Sequence, residues 1–176
     1  MKPIISEEYR TLQADFHKQR PDYGVSGHKW ADKVMAWAKQ LETNDILDFG
    51  CGKQTLQKSI PFPINNYDPC IPGLDDEPDA ADFVVCTDVA EHIEPEYVDA
   101  FLDTLAEKTK KLLFLSVATR PAVKFLPDGR NAHLIQEDPS WWLHKLVDRF
   151  ALESYQRMGD GEFVVLAFPK NEAQGD

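Results

Sequence analysis

No stretch of this 176-residue chain approaches the ~20 consecutive apolar residues that a membrane-spanning helix needs. The opening Met1-Lys2-Pro3-Ile4-Ile5-Ser6-Glu7-Glu8 lacks the apolar core of a secretory signal. Cysteine is scarce: Cys51, Cys70 and Cys86 form an odd set with no framework spacing, which points to a reducing cytoplasm and to small packed residues. Positive charge is also short, with 19 Lys and Arg against 30 Asp and Glu. The resulting net charge of −11 repels phosphate at long range and argues against a protein that coats nucleic acid. There is no internal repeat and no low-complexity tract, so 1–176 is read as a single domain.

What remains is ordinary globular material, 43% hydrophobic and 28% charged. Tyr9, Leu12 and Phe16 share one face of a helix expected over Glu7–Lys18, with Ser6 as N-cap. A second helix follows Ser26, with Trp30, Val34, Trp37, Ala38 and Leu41 as its stripe. From Ile46 the chain alternates. Strands are expected at Ile46–Phe49, Ile64–Tyr67, Asp82–Cys86 and Leu112–Val117. Between them fall a short helix over Gln54–Ser59 and a longer one opened by Pro95 at N1, carrying Val98, Phe101, Leu102 and Leu105. Asp138-Pro139 opens a last helix, with Trp142, Leu146, Val147 and Phe150 inward. Strands near Ala151–Gln156 and Phe163–Phe168 flank Gly159-Asp160-Gly161, a hairpin signal. This pattern predicts an α/β fold: a Rossmann-like, mostly parallel sheet, helices on both faces and a C-terminal antiparallel hairpin. Ligands of such sheets sit at the carboxyl ends of the strands, after Phe49, Tyr67, Cys86 and Val117.

Gly50 and Gly52, between a strand and a helix, permit a tight turn and a close backbone approach to a ligand. Asp48 precedes them at the strand end. A carboxylate there repels a pyrophosphate but attracts a sulfonium or an ammonium. Asp68 ends the next strand, where a carboxylate accepts ribose hydroxyls. The nicotinamide fingerprint fails, because Thr55 stands at its last small-residue position.

Ile46-Leu47-Asp48-Phe49-Gly50-Cys51-Gly52 resembles the first motif of class I S-adenosylmethionine-dependent methyltransferases. Asn66-Tyr67-Asp68 resembles their ribose-binding second strand, and Asp82-Phe83-Val84-Val85-Cys86-Thr87-Asp88-Val89-Ala90-Glu91-His92-Ile93 their fourth-strand motif. The resemblance runs from about residue 26 to 168. It implies S-adenosylmethionine as cofactor, with Asp48, Phe49, Gly50, Cys51 and Gly52 at its methionine end, Asp68 on the ribose, and Asp88 and Val89 lining the cleft. Residues 1–44 become helices capping that cleft, and 45–170 the α/β core. The chain departs from the family in two places. Gln54 stands where glycine is common. Only residues 69–81 separate Asp68 from Asp82, and Pro69, Pro72, Gly73 and Pro78 within them exclude a helix plus strand. The third family strand, whose end recognises adenine, is therefore expected to be missing.

Methyl transfer is an in-line displacement, so the protein aligns the acceptor and supplies a base. Asp88, His92 and His133 are the catalytic candidates. The long loop 119–136 carries Arg120, Lys124 and Arg130 against Asp128, a basic stretch that suggests a small or anionic acceptor. Tyr23, His28 and Lys29 precede the first motif as a candidate lid, with Lys29 on the cofactor carboxylate. No metal is required. One alternative does use one: Asp88, Glu91, His92 and His133 give two carboxylates and two imidazoles, a set that suits a divalent cation. That set is similar to metal-dependent enzymes that methylate the ribose 2′-hydroxyl of small RNAs, except that Asp88 replaces Glu. A further alternative is a non-catalytic methyltransferase fold that binds cofactor or a partner. His17, His28 and His144 carry no ligating spacing.

Overall fold

The computed structural model describes residues 2–159 and 161–170. Asp160, centre of the expected turn, and the ends of the expected 1–176 domain lie outside the described residues. Helices α1 (Glu7–Gln19), α2 (Ala31–Gln40), α3 (Val98–Lys108) and α4 (Pro139–Val147) surround a six-stranded sheet. The strands are β1 (Ile46–Phe49), β2 (Asn65–Tyr67), β3 (Ala81–Thr87), β4 (Thr109–Ala118), β5 (Phe150–Arg157) and β6 (Glu162–Pro169). Their order is β2-β1-β3-β4-β6-β5. β2, β1, β3 and β4 pair in parallel, and β6 joins β4 and β5 antiparallel. No strand forms between β2 and β3, so the sheet ends at β2 as the proline-rich connection predicts.

The central strands β1, β3 and β4 are buried on both sides because they are largely apolar at successive positions. Ile46, Phe83, Val85, Leu112 and Phe114 pack with Trp30, Val34 and Ala38 of the α2 layer. Their neighbours Leu47, Val84, Cys86, Leu113 and Leu115 face the opposite layer, with Phe101, Leu105, Trp142 and Leu146. This is the period-2 alternation of a strand realised against two helix layers. Each large side chain so buried contributes roughly 1.5–3 kcal/mol.

Local chemistry explains the helix ends. Ser6 accepts the Tyr9 N–H at 3.1 Å, and Asp138 accepts the Ser140 N–H at 2.8 Å. Four expectations need correction. Gln54–Ser59 is not a helix but a turn ending in one 3-10 turn, Gln57–Ser59, because Gln54 sits at φ 56°. The second helix begins as a 3-10 turn over Gly27–Trp30, without a cap bond from Ser26. Pro95 opens a 3-10 turn ahead of α3 rather than α3 itself. Val147, expected inward, is 40% exposed at the end of α4.

β2 has only three residues. At its start, Gln57 Oε1 accepts the Ile64 N–H at 2.8 Å and Asn66 Nδ2 donates to the Ile64 carbonyl at 2.9 Å.

Candidate functional site

The carboxyl ends of β1 to β4 open into a cavity of about 420 Å³. Gly50, Gly52, Asp68, Asp88, Val89 and Lys29 line it, as do His92 and His133. Asp48, Phe49 and Cys51 do not; they are buried behind the glycine turn at 3%, 1% and 6% exposure. Burial, and then the charge of Asp68, pushes the Asp48 carboxyl up to about 7. Asp48 is therefore a buried acid behind the loop and not a group at the cavity surface.

The glycines are required by the chain itself. Gly50 and Gly52 have φ of 85° and 51°. A methyl group on Gly50 would lie 2.4 Å from Val89 Cγ2, and one on Gly52 2.5 Å from the Gly24 carbonyl oxygen. Asp68 ties the turn down: it accepts the Gly52 N–H at 3.0 Å and the Cys70 N–H at 2.9 Å, one on each oxygen. Each oxygen keeps a lone pair for a further donor. Gln54 takes the left-handed backbone that glycine adopts freely, as does Asp88 at φ 58° on the β3 end.

At the other end of the cavity two imidazoles meet edge to face, with ring centroids 4.8 Å apart. His92 Nδ1 lies 2.7 Å from the Ala132 carbonyl and His133 Nδ1 2.6 Å from the Arg120 carbonyl. A carbonyl only accepts, so each Nδ1 carries the proton and each Nε2 keeps its lone pair. Burial and the neighbouring His133 hold His92 down at about 4, and burial lowers His133. Glu91 is fully buried; its Oε1 accepts the Ala118 N–H at 2.9 Å and its Oε2 has no partner. Burial and Asp88 raise its carboxyl well above the ordinary range. One ligand atom each from Glu91, His92 and His133 lies within 4.8 Å of the others, a set that can hold a metal ion. Asp88 lines the cavity but does not join that set.

The basic loop is less basic than it reads. Arg120 faces Glu162 at 3.8 Å, Lys124 faces Asp22 at 3.3 Å, and Arg130 pairs with Asp128 at 2.7 Å. Among the described residues, Lys29 is the cavity-lining cation without an ion pair.

The structure adds residues that the sequence pattern passed over. Ile5, Tyr9, Gln13 and His17, spaced four apart, form a ridge along one wall of the cavity. Gln13 is 4% exposed. Tyr23 packs edge-on against Phe16 and His92, and Lys53 Nζ donates to the His17 carbonyl at 2.5 Å. The i+4 spacing was visible, but a polar Gln and His do not announce a buried face.

Comparisons with known proteins fit this geometry. The family described as "Methyltransferase domain" matches residues 16–159. No curated protein matches the chain. Among solved structures, the chain is similar to the 1,6-didemethyltoxoflavin-N1-methyltransferase of Burkholderia thailandensis, solved with bound 1,6-didemethyltoxoflavin and S-adenosylhomocysteine. The TM-score is 0.65 at 15% identity, covering 97% of this chain and 93% of that one. It is similar to the magnesium protoporphyrin IX methyltransferase of Synechocystis PCC 6803 with bound S-adenosylhomocysteine, with TM-score 0.58, 18% identity and coverage of 81% and 82%. It is also similar to the N-methyltransferase NodS of Bradyrhizobium japonicum, with TM-score 0.60, 10% identity and coverage of 92% and 99%. These likenesses show a shared fold, and the family match spans most of the sequence: the chain belongs to the methyltransferase domain family.

Proposed function

We propose that this protein binds S-adenosylmethionine in the 420 Å³ cavity and transfers its methyl group to a small acceptor entering from the His92–His133 end. The observation that carries the reading is the convergence, in one cavity, of the positive-φ glycine turn, a buried acid at the next strand end and two imidazoles with free Nε2 lone pairs. The donor sets fit such a cofactor. Asp68 retains lone pairs for ribose hydroxyls, and Lys29, which lines the cavity, is the cation that would meet the amino-acid carboxylate. Of the N-terminal residues 1–44, those that line the cleft fall between Ile5 and Lys29 and act as its cap, while α2 packs against the sheet.

In the transfer the acceptor's lone pair attacks the methyl carbon, the carbon–sulfur bond breaks, and its electrons stay on sulfur. The acceptor's proton needs a base. Asp88 and the Nε2 atoms of His92 and His133 are the candidates. The cations of loop 119–136 already face carboxylates, so an anionic group on the acceptor is less favoured than the charge of that loop suggests. Three buried free thiols, Cys51, Cys70 and Cys86, suit a reducing, cytoplasmic setting. No helix among the described residues is long and apolar enough to cross a membrane.

A second reading is metal-assisted methylation of a ribose 2′-hydroxyl. The grouping of Glu91, His92 and His133 favours it, because backbone carbonyls orient both rings and Glu91 Oε2 lacks a partner. Two nitrogens and one carboxylate suit an ion of intermediate hardness, which would acidify an acceptor hydroxyl. The net charge of −11 weighs against an RNA substrate.

Calorimetric titration with S-adenosylmethionine tests the main reading. Micromolar binding is expected. Absence of binding by folded protein would remove it, and tight binding without methyl transfer to any acceptor would favour a non-catalytic role.

A further inference from the structure

The sheet stops at β2, and residues 69–80 form no strand, so no strand end stands beyond Asp68 to meet a nucleobase. Helix α1 occupies that side. Arg10 Nε donates to the Pro69 carbonyl at 2.8 Å and its Nη2 to Asp75 at 2.5 Å, which holds the helix against the 69–75 segment. The inner ridge of α1 then lines the same cavity as Asp68, Pro69 and Cys70.

Besides Tyr9, two polar side chains stand on that ridge: His17, whose Nδ1 has no partner, and Gln13, whose carboxamide offers a donor and an acceptor side by side. A carboxamide at 4% exposure is costly unless its hydrogen-bonding capacity is used. Its Nε2 donates to the Tyr9 hydroxyl at 2.5 Å, and that hydroxyl donates its only proton to the His92 carbonyl at 2.7 Å. Tyr9 can therefore only accept from Gln13, which fixes the end of the amide that carries nitrogen. None of the hydrogen bonds among the described residues ends on Gln13 Oε1, and Tyr23 is a second hydroxyl that the Gln13 amide faces. The wall beside Asp68–Cys70 thus presents an oriented acceptor next to the second Nε2 hydrogen.

Adenine carries the complementary edge: an N6 donor beside an N1 acceptor. Hypoxanthine reverses both, with O6 accepting and N1 donating. A free carboxamide matches hypoxanthine by turning over; one pinned by Tyr9 does not.

We propose that Gln13 reads the adenine ring of the cofactor, with Tyr9 as the positioning residue that sets its orientation. This rests on the cofactor reading above. The test is calorimetric binding of S-adenosylhomocysteine and S-inosylhomocysteine to the wild type, Gln13→Met and Tyr9→Phe. The wild type should prefer the adenine compound by about tenfold or more. Gln13→Met should bind the two nearly alike. Tyr9→Phe should keep adenine binding but narrow the ratio, because one of the two hydroxyls that hold the amide is gone. A wild-type ratio in both variants, or no preference in the wild type, overturns the proposal. If Gln13→Met does not fold, Tyr9→Phe alone decides. A wild type that binds neither compound defeats the cofactor reading itself, which is a different result.

Discussion

The backbones of Gly24 and Gly52 meet face to face: a methyl group on Gly52 would lie 2.5 Å from the Gly24 carbonyl oxygen, which accepts the Lys53 N–H at 2.8 Å. The N-terminal segment is therefore part of the glycine turn's own wall, and both glycines are at positive φ.

Gly52→Ala should be costly for two reasons, the left-handed backbone and the clash with a main chain that has no flexible end to move. A loss of about 2 kcal/mol or more in urea unfolding is expected. Affinity for S-adenosylhomocysteine should fall with it. Wild-type stability in this variant would mean that the contact between the two segments opens easily.

Asp48 supplies a pH test. Its carboxyl titrates near 4 in an unfolded chain and is raised to about 7 here, first by burial and then by Asp68. The folded state thus holds more protons between those values. The stabilising contribution is complete below about pH 4 and is lost as pH rises through 7. Asp48→Asn should gain stability relative to the wild type between pH 5 and 8, by a few kcal/mol at most. Melting temperatures at the two pH values measure this. An equal loss at both would assign Asp48 a hydrogen-bonding rather than a titrating role.

The Glu91–His92–His133 group makes a metal prediction. Under the second reading, Zn²⁺ or Mn²⁺ raises the melting temperature of the wild type by several degrees and leaves His133→Ala unmoved. Melting unchanged by Mg²⁺, Mn²⁺ and Zn²⁺ would end that reading.

The strand ends were legible because Ile46–Phe49 and Phe83–Cys86 are short, mostly apolar runs, the first between Asp45 and Gly50 and the second opened by Asp82, and doubly covered strands look like that. The missing third strand was legible for a simpler reason: four helix- and strand-breaking residues leave no room for one. Contacts set by distant chain segments were not legible. Lys124 meets Asp22 across 102 positions, so a loop that reads as basic is largely neutralised. The role of Gly24 was not legible either, because its partner Gly52 lies on another element. Asp48 read as a charge facing the cofactor because a strand end does not reveal which carboxylate lies behind the turn and which at its mouth.

The early end of the sheet has a consequence for how the molecule meets copies of itself. A sheet that stops short usually leaves a row of free backbone groups, a template for edge-to-edge association. Here the last strand is three residues long, carries Asn65 and Asn66, and has Ile64 beside it engaged by the amides of Gln57 and Asn66. That edge is too short and too polar to recruit a neighbouring strand. The chain can therefore omit a strand from its fold without gaining an adhesive border.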